Sequence, residues 1–162
     1  ARDCLTTYFG RLEQPTTEGS NRGEWAGKRG ESKFISQNSE VNEILKRNGL
    51  DGIEYRSGIP DFSKIAIATV KIDEMSDNRS DNFRQCDIKC AEKWNLEGRD
   101  GKTDWKARGV SDWRRINGYT WHERNDMITC DLIPAKVNKE FGHLGGVSEC
   151  SKFKGVENEF DM

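Results

Sequence analysis

The chain has 162 residues, of which 33% are hydrophobic and 33% are charged, and its formal net charge is -2. This length allows one domain with at most a short arm, and the low apolar content predicts a modest core with many loops. No apolar run approaches the roughly twenty residues needed to cross a bilayer, so a membrane-spanning class is excluded. The overall acidity does not indicate nucleic-acid binding, which must therefore depend on a local feature.

The first part of the chain predicts an irregular start, one helix and several strands. Residues 1–24 show little periodicity, and we predict an arm or linker, or an irregular packed segment. Asn38 or Ser39 is suited to cap a helix with one apolar face. Residues 52–62 then predict a strand, a turn and a short strand, and the β-branched run at residues 65–72 predicts a buried strand.

The middle of the chain predicts helices. Ser80 or Asp81 is predicted to begin a second helix, and Thr103 and Ser111 are capping candidates for further helical pieces that end at residues 117–118. The second helix has a series of residues at helical spacing that should face the core. They are Phe83, Cys86, Cys90, Ala91 and Trp94.

The five cysteines do not form a disulfide pattern, because their number is odd and none belongs to a Cys-x-x-Cys pair. We predict mostly reduced, buried side chains. An alternative is that Cys86 and Cys90 share a helix face and bind zinc, although two further ligands are missing nearby.

A local excess of basic residues lies between residues 101 and 124, where six basic residues stand against three acidic ones. Such a face can bind phosphate groups or an acidic partner. The alternative is a solvated surface of mixed charge. The candidate nucleic-acid-binding residues are Lys106, Arg108, Arg114, Arg115 and Arg124.

A ββα unit is predicted at about residues 118–146. Two strand-like runs joined by turn residues precede Pro134, which fits the first position of a helix. The only two histidines of the chain fall inside this unit, His122 on the first strand and His143 at the end of the helix. Phosphodiester hydrolysis needs a cation and a base, and imidazole can serve either role at neutral pH. The alternative is that both histidines are packed, hydrogen-bonded residues.

More residues of this unit belong to one pattern: Thr120, Trp121, His122, Glu123, Asp126, Leu132, Ile133, Pro134, Asn138, His143, Leu144, Gly145 and Gly146. The pattern resembles the WHH branch of the HNH, or His-Me finger, nucleases, which is typical of C-terminal toxin domains of bacterial polymorphic and contact-dependent toxins. Residues 29–34 and 52–63 resemble the leader segment of such toxins. The resemblance covers about residues 25–150. It implies a toxin domain over residues 25–162 with an α+β fold, in which a ββα-metal core carries additional helices and a small β element.

The resemblance also implies roles for individual residues. His122 and His143 match the metal ligands, and Asn138 stands where the helix supplies a His or Asn. Glu123 occupies the position of the general base, which is usually a histidine. In a second interpretation Glu123 is a metal ligand and His122 is the base.

Trp121 and Asp126 are implied to support the site. Asn138 and His143 are five positions apart, about 140° around an ideal helix, so they converge only if the helix loosens near Gly142.

The function implied by the resemblance is an endonuclease toxin that uses a divalent metal ion, namely Mg²⁺, Mn²⁺, Zn²⁺ or Ni²⁺, with DNA as the preferred substrate. The alternatives are an RNA-cleaving toxin of the same fold, a catalytically silent module that binds nucleic acid or an immunity protein, and a purely structural domain. The implied partners are a nucleic acid and a cognate immunity protein. The implied site of action is the cytoplasm of a target cell, reached after secretion or delivery as the C-terminal part of a larger toxin.

Overall fold

The structure, a computed structural model, describes the backbone of residues 4–160 and the side chains of residues 4–156. It has the predicted α+β class. The helices are α1 Tyr8–Leu12, α2 Ser39–Arg47, α3 Arg79–Glu97, α4 Ala107–Asn117, α5 Ala135–Glu140 and α6 Gly146–Phe160, with one 3₁₀ turn at Arg99–Gly101. The strands are β1 Gly23–Trp25, β2 Lys33–Ser36, β3 Ile53–Arg56, β4 Ile59–Pro60, β5 Ala68–Lys71, β6 Tyr119–Glu123 and β7 Thr129–Pro134.

The strands form two antiparallel sheets. One has the order β1-β2-β3-β4 and the other has the order β5-β7-β6. Two buried clusters pack on them. The first, which includes Trp94, Trp121 and Leu132, joins α3 and α4 to the second sheet. The other, which includes Phe62 and Phe141, joins the first sheet to α2 and α5. The β6–β7 hairpin contributes to both clusters and therefore lies at the centre of the fold.

Local signals explain several boundaries. The helix predicted after Asn38 is α2, and the Asn38 side chain accepts a hydrogen bond from the Val41 backbone N–H at 3.1 Å. The start predicted at Ser80 or Asp81 is late, because α3 begins at Arg79 and its cap is the side chain of Asn78.

The strand predicted over residues 65–72 is shorter than expected. Only Ala68–Lys71 pairs with β7, since Ile65 belongs to a turn in which its N–H donates to the Phe62 carbonyl at 3.1 Å. Pro134, predicted to be the first residue of a helix, instead ends β7 and precedes α5.

The capping candidates Thr103 and Ser111 were wrong. Asn95 binds both the N–H and the carbonyl of Trp105, at 2.5 and 2.9 Å, and so anchors the loop after α3. Helix α4 therefore begins only after Lys106, which makes no side-chain cap, and Ser111 lies inside the helix.

Four of the five cysteines, Cys86, Cys90, Cys130 and Cys150, are buried as expected. Cys86, Cys90 and Cys130 are buried free thiols, and a hydrogen bond between Cys86 and Cys130 raises the pKa of Cys86. Among the described residues, no group of three or more His, Cys, Asp or Glu side chains is arranged to bind a metal ion. The zinc alternative for Cys86 and Cys90 therefore has no support. Within the same part of the chain, the helices are too short or too polar to span a membrane.

Glu149, in the first turn of α6, ties the beginning of the described chain to its end. Its side chain is fully buried and accepts hydrogen bonds from the N–H groups of Leu5 and Thr6, the hydroxyl of Thr6 and the amide of Asn125. The division into an arm or linker of residues 1–24 and a domain of residues 25–162 stays a prediction.

We expect Glu149→Ala to lower the free energy of unfolding by about 1–3 kcal/mol, because it leaves several buried donors without an acceptor. Urea denaturation of the purified chain measures this. Glu43→Ala is the control, since Glu43 is exposed on α2 and forms no ion pair or side-chain hydrogen bond with the rest of the described chain. Equal denaturation midpoints for the two variants would contradict the anchoring role.

Candidate active site

Adjacent residues of β6 place two kinds of side chain on opposite faces of the sheet. His122 is opposite Asp131 on β7, and Glu123 is opposite Cys130. His122 therefore faces the cluster that contains Phe62, whereas Glu123 faces α3.

The structure brings the two histidines together. The ring centroids of His122 and His143 are 4.9 Å apart, and the edge of Phe62 packs on both rings. Helix α5 ends at Glu140, so His143 lies in a loop and is not constrained by helical spacing. The helix thus ends before Gly142, as expected, and this allows Asn138 and His143 to line the same cavity.

Burial keeps both imidazoles neutral. It lowers the pKa of His122 to about 3, with further contributions from His143 and Arg124 that the nearby Asn138 amide opposes. Burial also lowers the pKa of His143. The Nδ1 atom of His143 lies 2.6 Å from the Phe141 carbonyl, and because a carbonyl only accepts, Nδ1 carries the proton and Nε2 keeps its lone pair.

Asn138 contributes a buried acceptor without a hydrogen-bond partner. Its Oδ1 atom is inaccessible to solvent and forms no hydrogen bond of acceptable geometry with the described residues. Leaving such a group unsatisfied costs on the order of 1–3 kcal/mol. Asn138 lines the same cavity as His122, and its side chain raises the pKa of that histidine.

Glu123 is held by two side chains of the α3 N-terminus. The Glu123 carboxylate, only 5% exposed, accepts a hydrogen bond from Asn82 Nδ2 at 2.7 Å, and Arg79 Nε lies 3.4 Å away. Burial raises the pKa of Glu123, while Asn82 and Arg79 act in the opposite direction. Of these three residues, the sequence analysis named only Glu123. The sequence could have indicated Asn82, which lies four positions before Cys86 and therefore on the same buried face of α3. It offered no such indication for Arg79, which is mostly exposed.

These groups meet at a cavity of about 110 Å³, which we call the catalytic cavity. Its walls include His122, Glu123, Asn138, His143 and Arg79. The first turn of α6 forms another side of it, through Gly146 and the residues that follow.

Gly145 and Gly146 allow the His143 loop to lie against the end of β6. A Cβ atom at Gly145 would stand 2.7 Å from the Glu123 carbonyl oxygen, and one at Gly146 would stand 2.6 Å from the Arg124 carbonyl oxygen. Both distances are shorter than van der Waals contact, so any side chain there would displace the loop that carries His143.

The supporting residues have structural partners. Trp121 is buried and donates from Nε1 to Asp87 at 2.9 Å. Asp126 accepts hydrogen bonds from the N–H groups of Ile128 and Thr129 and from the Thr129 hydroxyl, and thereby shapes the β6–β7 turn.

None of the five basic residues predicted to contact nucleic acid lines the catalytic cavity. Arg114 pairs with Asp87, Arg115 with Asp112 and Arg124 with Asp131. Lys106 and Arg108 are exposed and have no ion pair within the described part of the chain. Arg108 lines a groove with Phe83 and Arg84, and Phe83 also lines the catalytic cavity.

A family model for the DNase/tRNase domain of colicin-like bacteriocins matches residues 52–145, which is more than half of the chain. The chain belongs to this family. It is therefore a nuclease toxin domain, and the match includes His122, Glu123, Asn138 and His143. The comparison with individual curated proteins gives no match.

We expect Gly145→Ala and Gly146→Ala each to cost about 1–3 kcal/mol of stability, because the added methyl group meets backbone atoms that cannot turn aside. Gly155→Ala, where an added Cβ meets nothing within 4 Å, is the matched control on α6. Thermal denaturation compares the three variants, and a separate shift of the His143 ring signals in NMR would report the displaced loop. Variants at 145 and 146 as stable as the Gly155 control would refute the close approach.

Proposed function

We propose that this domain is an HNH-type endonuclease that hydrolyses phosphodiester bonds at the catalytic cavity with the help of a divalent metal ion. The observation that carries the proposal is the pair of neutral, buried histidine rings 4.9 Å apart, with the side chain of Asn138 at the same cavity. Glu123 supplies a buried carboxylate on the other face of β6.

His122 and His143 fit the role of metal ligands. Imidazole binds metals in its neutral form, which is the form that burial favours here, and the hydrogen bond from Nδ1 of His143 to Phe141 leaves Nε2 for coordination. The amide oxygen Oδ1 of Asn138 is the third proposed metal ligand. When bound, a divalent cation would polarise the phosphodiester and stabilise the leaving oxygen. The protein would supply only a few ligands to the metal ion, which suits a catalytic site whose remaining coordination positions are taken by substrate and water.

Nitrogen donors favour Zn²⁺ and Ni²⁺ over the harder Mg²⁺, and Mn²⁺ is intermediate. We therefore expect activity with a transition metal at lower concentrations than with magnesium.

Glu123 is proposed as the general base rather than as a ligand. Its side chain leaves β6 on the face opposite to His122, and its contacts are Asn82 and Arg79 instead of the second histidine. The raised pKa makes the carboxylate a stronger base than an exposed one, which partly compensates for the absence of imidazole at this position. Asn82 and Arg79 orient the carboxylate and favour its deprotonated form.

Arg79 is proposed to contact the substrate as well. Its side chain is 66% exposed, lines the catalytic cavity and carries a positive charge at its entrance. From there the groove with Phe83, Arg84 and Arg108 offers a continuation for the phosphate backbone. We propose this route in place of the broad basic face expected from residues 101–124.

DNA is the proposed substrate, and RNA is the alternative because the family includes tRNases. A nuclease toxin also requires protection of the producing cell, so we propose a cognate immunity protein as partner and the cytoplasm of a target cell as the place of action.

The deciding experiment is a cleavage assay with the purified chain on plasmid DNA and on tRNA, first with chelator and then with a series of divalent metals. We expect cleavage only with metal, and loss of both activity and metal affinity in His143→Ala. Metal-independent cleavage, or full activity of His143→Ala, would contradict the proposed site. Binding of either nucleic acid without cleavage under any metal would favour the catalytically silent module.

The variant Glu123→Gln distinguishes the two roles considered for Glu123, general base and metal ligand. We expect a loss of roughly 10²- to 10⁴-fold in kcat, which is the contribution typical of general base catalysis, with metal affinity by calorimetry unchanged. Wild-type kcat/KM should fall as the pH drops through the raised pKa of Glu123, because only the deprotonated carboxylate accepts a proton, and this limb should be absent from the variant.

Glu92→Gln, an exposed change on α3, is the control and should keep wild-type kinetics. Loss of metal affinity in Glu123→Gln would instead make Glu123 a ligand and give the base role to His122. Unchanged kcat would exclude both roles.

A further inference from the structure

A second, larger cavity of about 800 Å³ also borders His122. It lies between the N-terminal segment around α1, strand β4 and the β6–β7 hairpin, and we call it the N-terminal cavity. Its volume falls in the range of small-molecule sites, about 300–1,000 Å³. Glu123 does not line it, so His122 connects it to the catalytic cavity.

The three carboxylates in the wall of the N-terminal cavity all have partners, but only Asp131 is paired with a cation. Asp131 forms a two-pronged ion pair with Arg124, with both distances at 2.7 Å. Asp126 accepts the hydrogen bonds of the hairpin turn, and Asp61 accepts one from the Ser63 N–H at 2.9 Å. None of these groups is directed at the remaining arginines of the wall.

Arg11 is a buried cation that lacks a carboxylate partner. It is only 7% exposed, and its guanidinium donates to the backbone carbonyls of Ser57, at 2.9 Å, and Thr6. No acidic group within residues 4–156 lies in ion-pair range of it. The guanidinium also donates to the hydroxyl of Thr6 at 3.2 Å, and this hydroxyl in turn donates to the buried carboxylate of Glu149. Arg11 thus brings to the cavity that it lines a cation with no carboxylate in direct contact.

Arg56 adds a second cation to the same wall. It is exposed on β3 and, within the described chain, takes part in no ion pair and no side-chain hydrogen bond. The rest of the wall includes the apolar surfaces of Ile59, Pro60 and Phe62. Two cations above an apolar floor match the phosphate and the base of a nucleotide.

We propose that the N-terminal cavity is a nucleotide subsite, in which Arg11 and Arg56 bind a phosphate of the strand that flanks the bond to be cut. The inference rests on the proposed nuclease function, because the shared wall at His122 makes the cavity a neighbour of the reacting phosphodiester. An anion the size of inorganic phosphate would leave most of the volume empty, so the occupant is a nucleotide unit of a chain.

The test measures binding separately from cleavage. Fluorescently labelled single strands of about eight nucleotides, a length within the usual site size of single-strand binders, are titrated with the protein in chelator and followed by anisotropy. DNA and RNA strands of the same sequence are used in parallel, since both carry the phosphate that the arginines would bind. The titrations are repeated over a range of salt concentrations.

Arg56→Gln is the main variant, because an exposed side chain can be replaced without disturbing the core, and Arg47→Gln on α2 is the matched exposed control. We expect Arg56→Gln to weaken binding roughly 10-fold and to reduce the slope of log K against log salt by about one, as loss of one phosphate contact requires. In the cleavage assay KM should rise with kcat nearly unchanged. Arg11→Lys, which keeps the charge but loses the fork of donors, should act in the same direction.

The inference would be overturned if Arg56→Gln bound the oligonucleotide with the same affinity and the same salt dependence as Arg47→Gln. This comparison decides the matter even if Arg11→Lys does not fold. The two proposals fail separately. A wild-type chain that never cleaves refutes the nuclease but leaves the anisotropy result valid, whereas normal cleavage with unaltered KM in both arginine variants refutes only the subsite.

Discussion

The close packing of two glycines against the end of β6 is the contact on which the site depends. Gly145 and Gly146 approach the carbonyl oxygens of Glu123 and Arg124 at distances that exclude any side chain. This approach places His143 beside His122 and starts α6 at the wall of the catalytic cavity. Glu149, one turn into α6, then holds the N-terminal segment, so the same contact also positions the N-terminal cavity.

Burial shifts the pKa values of His122 and Glu123 in opposite directions. It disfavours the cationic form of His122 and the anionic form of Glu123, so the pKa of the histidine falls and that of the carboxyl rises. The first change yields a neutral nitrogen donor, and the second yields a more basic carboxylate. Because β6 sends the two side chains to different faces, each can be buried in its own environment, Phe62 and His143 on one side and α3 on the other.

Much of the fold followed from local patterns in the sequence. The cap at Asn38 and the hairpin strand β6 were predicted correctly because capping and strand preference act over a few residues. The pairing of His122 with His143 was expected from a hairpin followed by a helix, and the structure places their rings in contact. Helix α6 was not predicted, since glycines 145 and 146 usually end a helix, whereas here Gly146 begins one because it packs on β6.

The sequence by itself determined the α+β class, the hairpin and the residue types that can perform hydrolysis. Only the tertiary structure decided which charges are available. The sequence does not distinguish Arg114 and Arg124 from the other basic residues, but in the structure they form ion pairs with Asp87 and Asp131. Arg11, in contrast, has no carboxylate in ion-pair range within the described chain. Ion pairing depends on distances between elements remote in sequence, and these distances are set by how helices and sheets pack, which no local pattern of residues encodes.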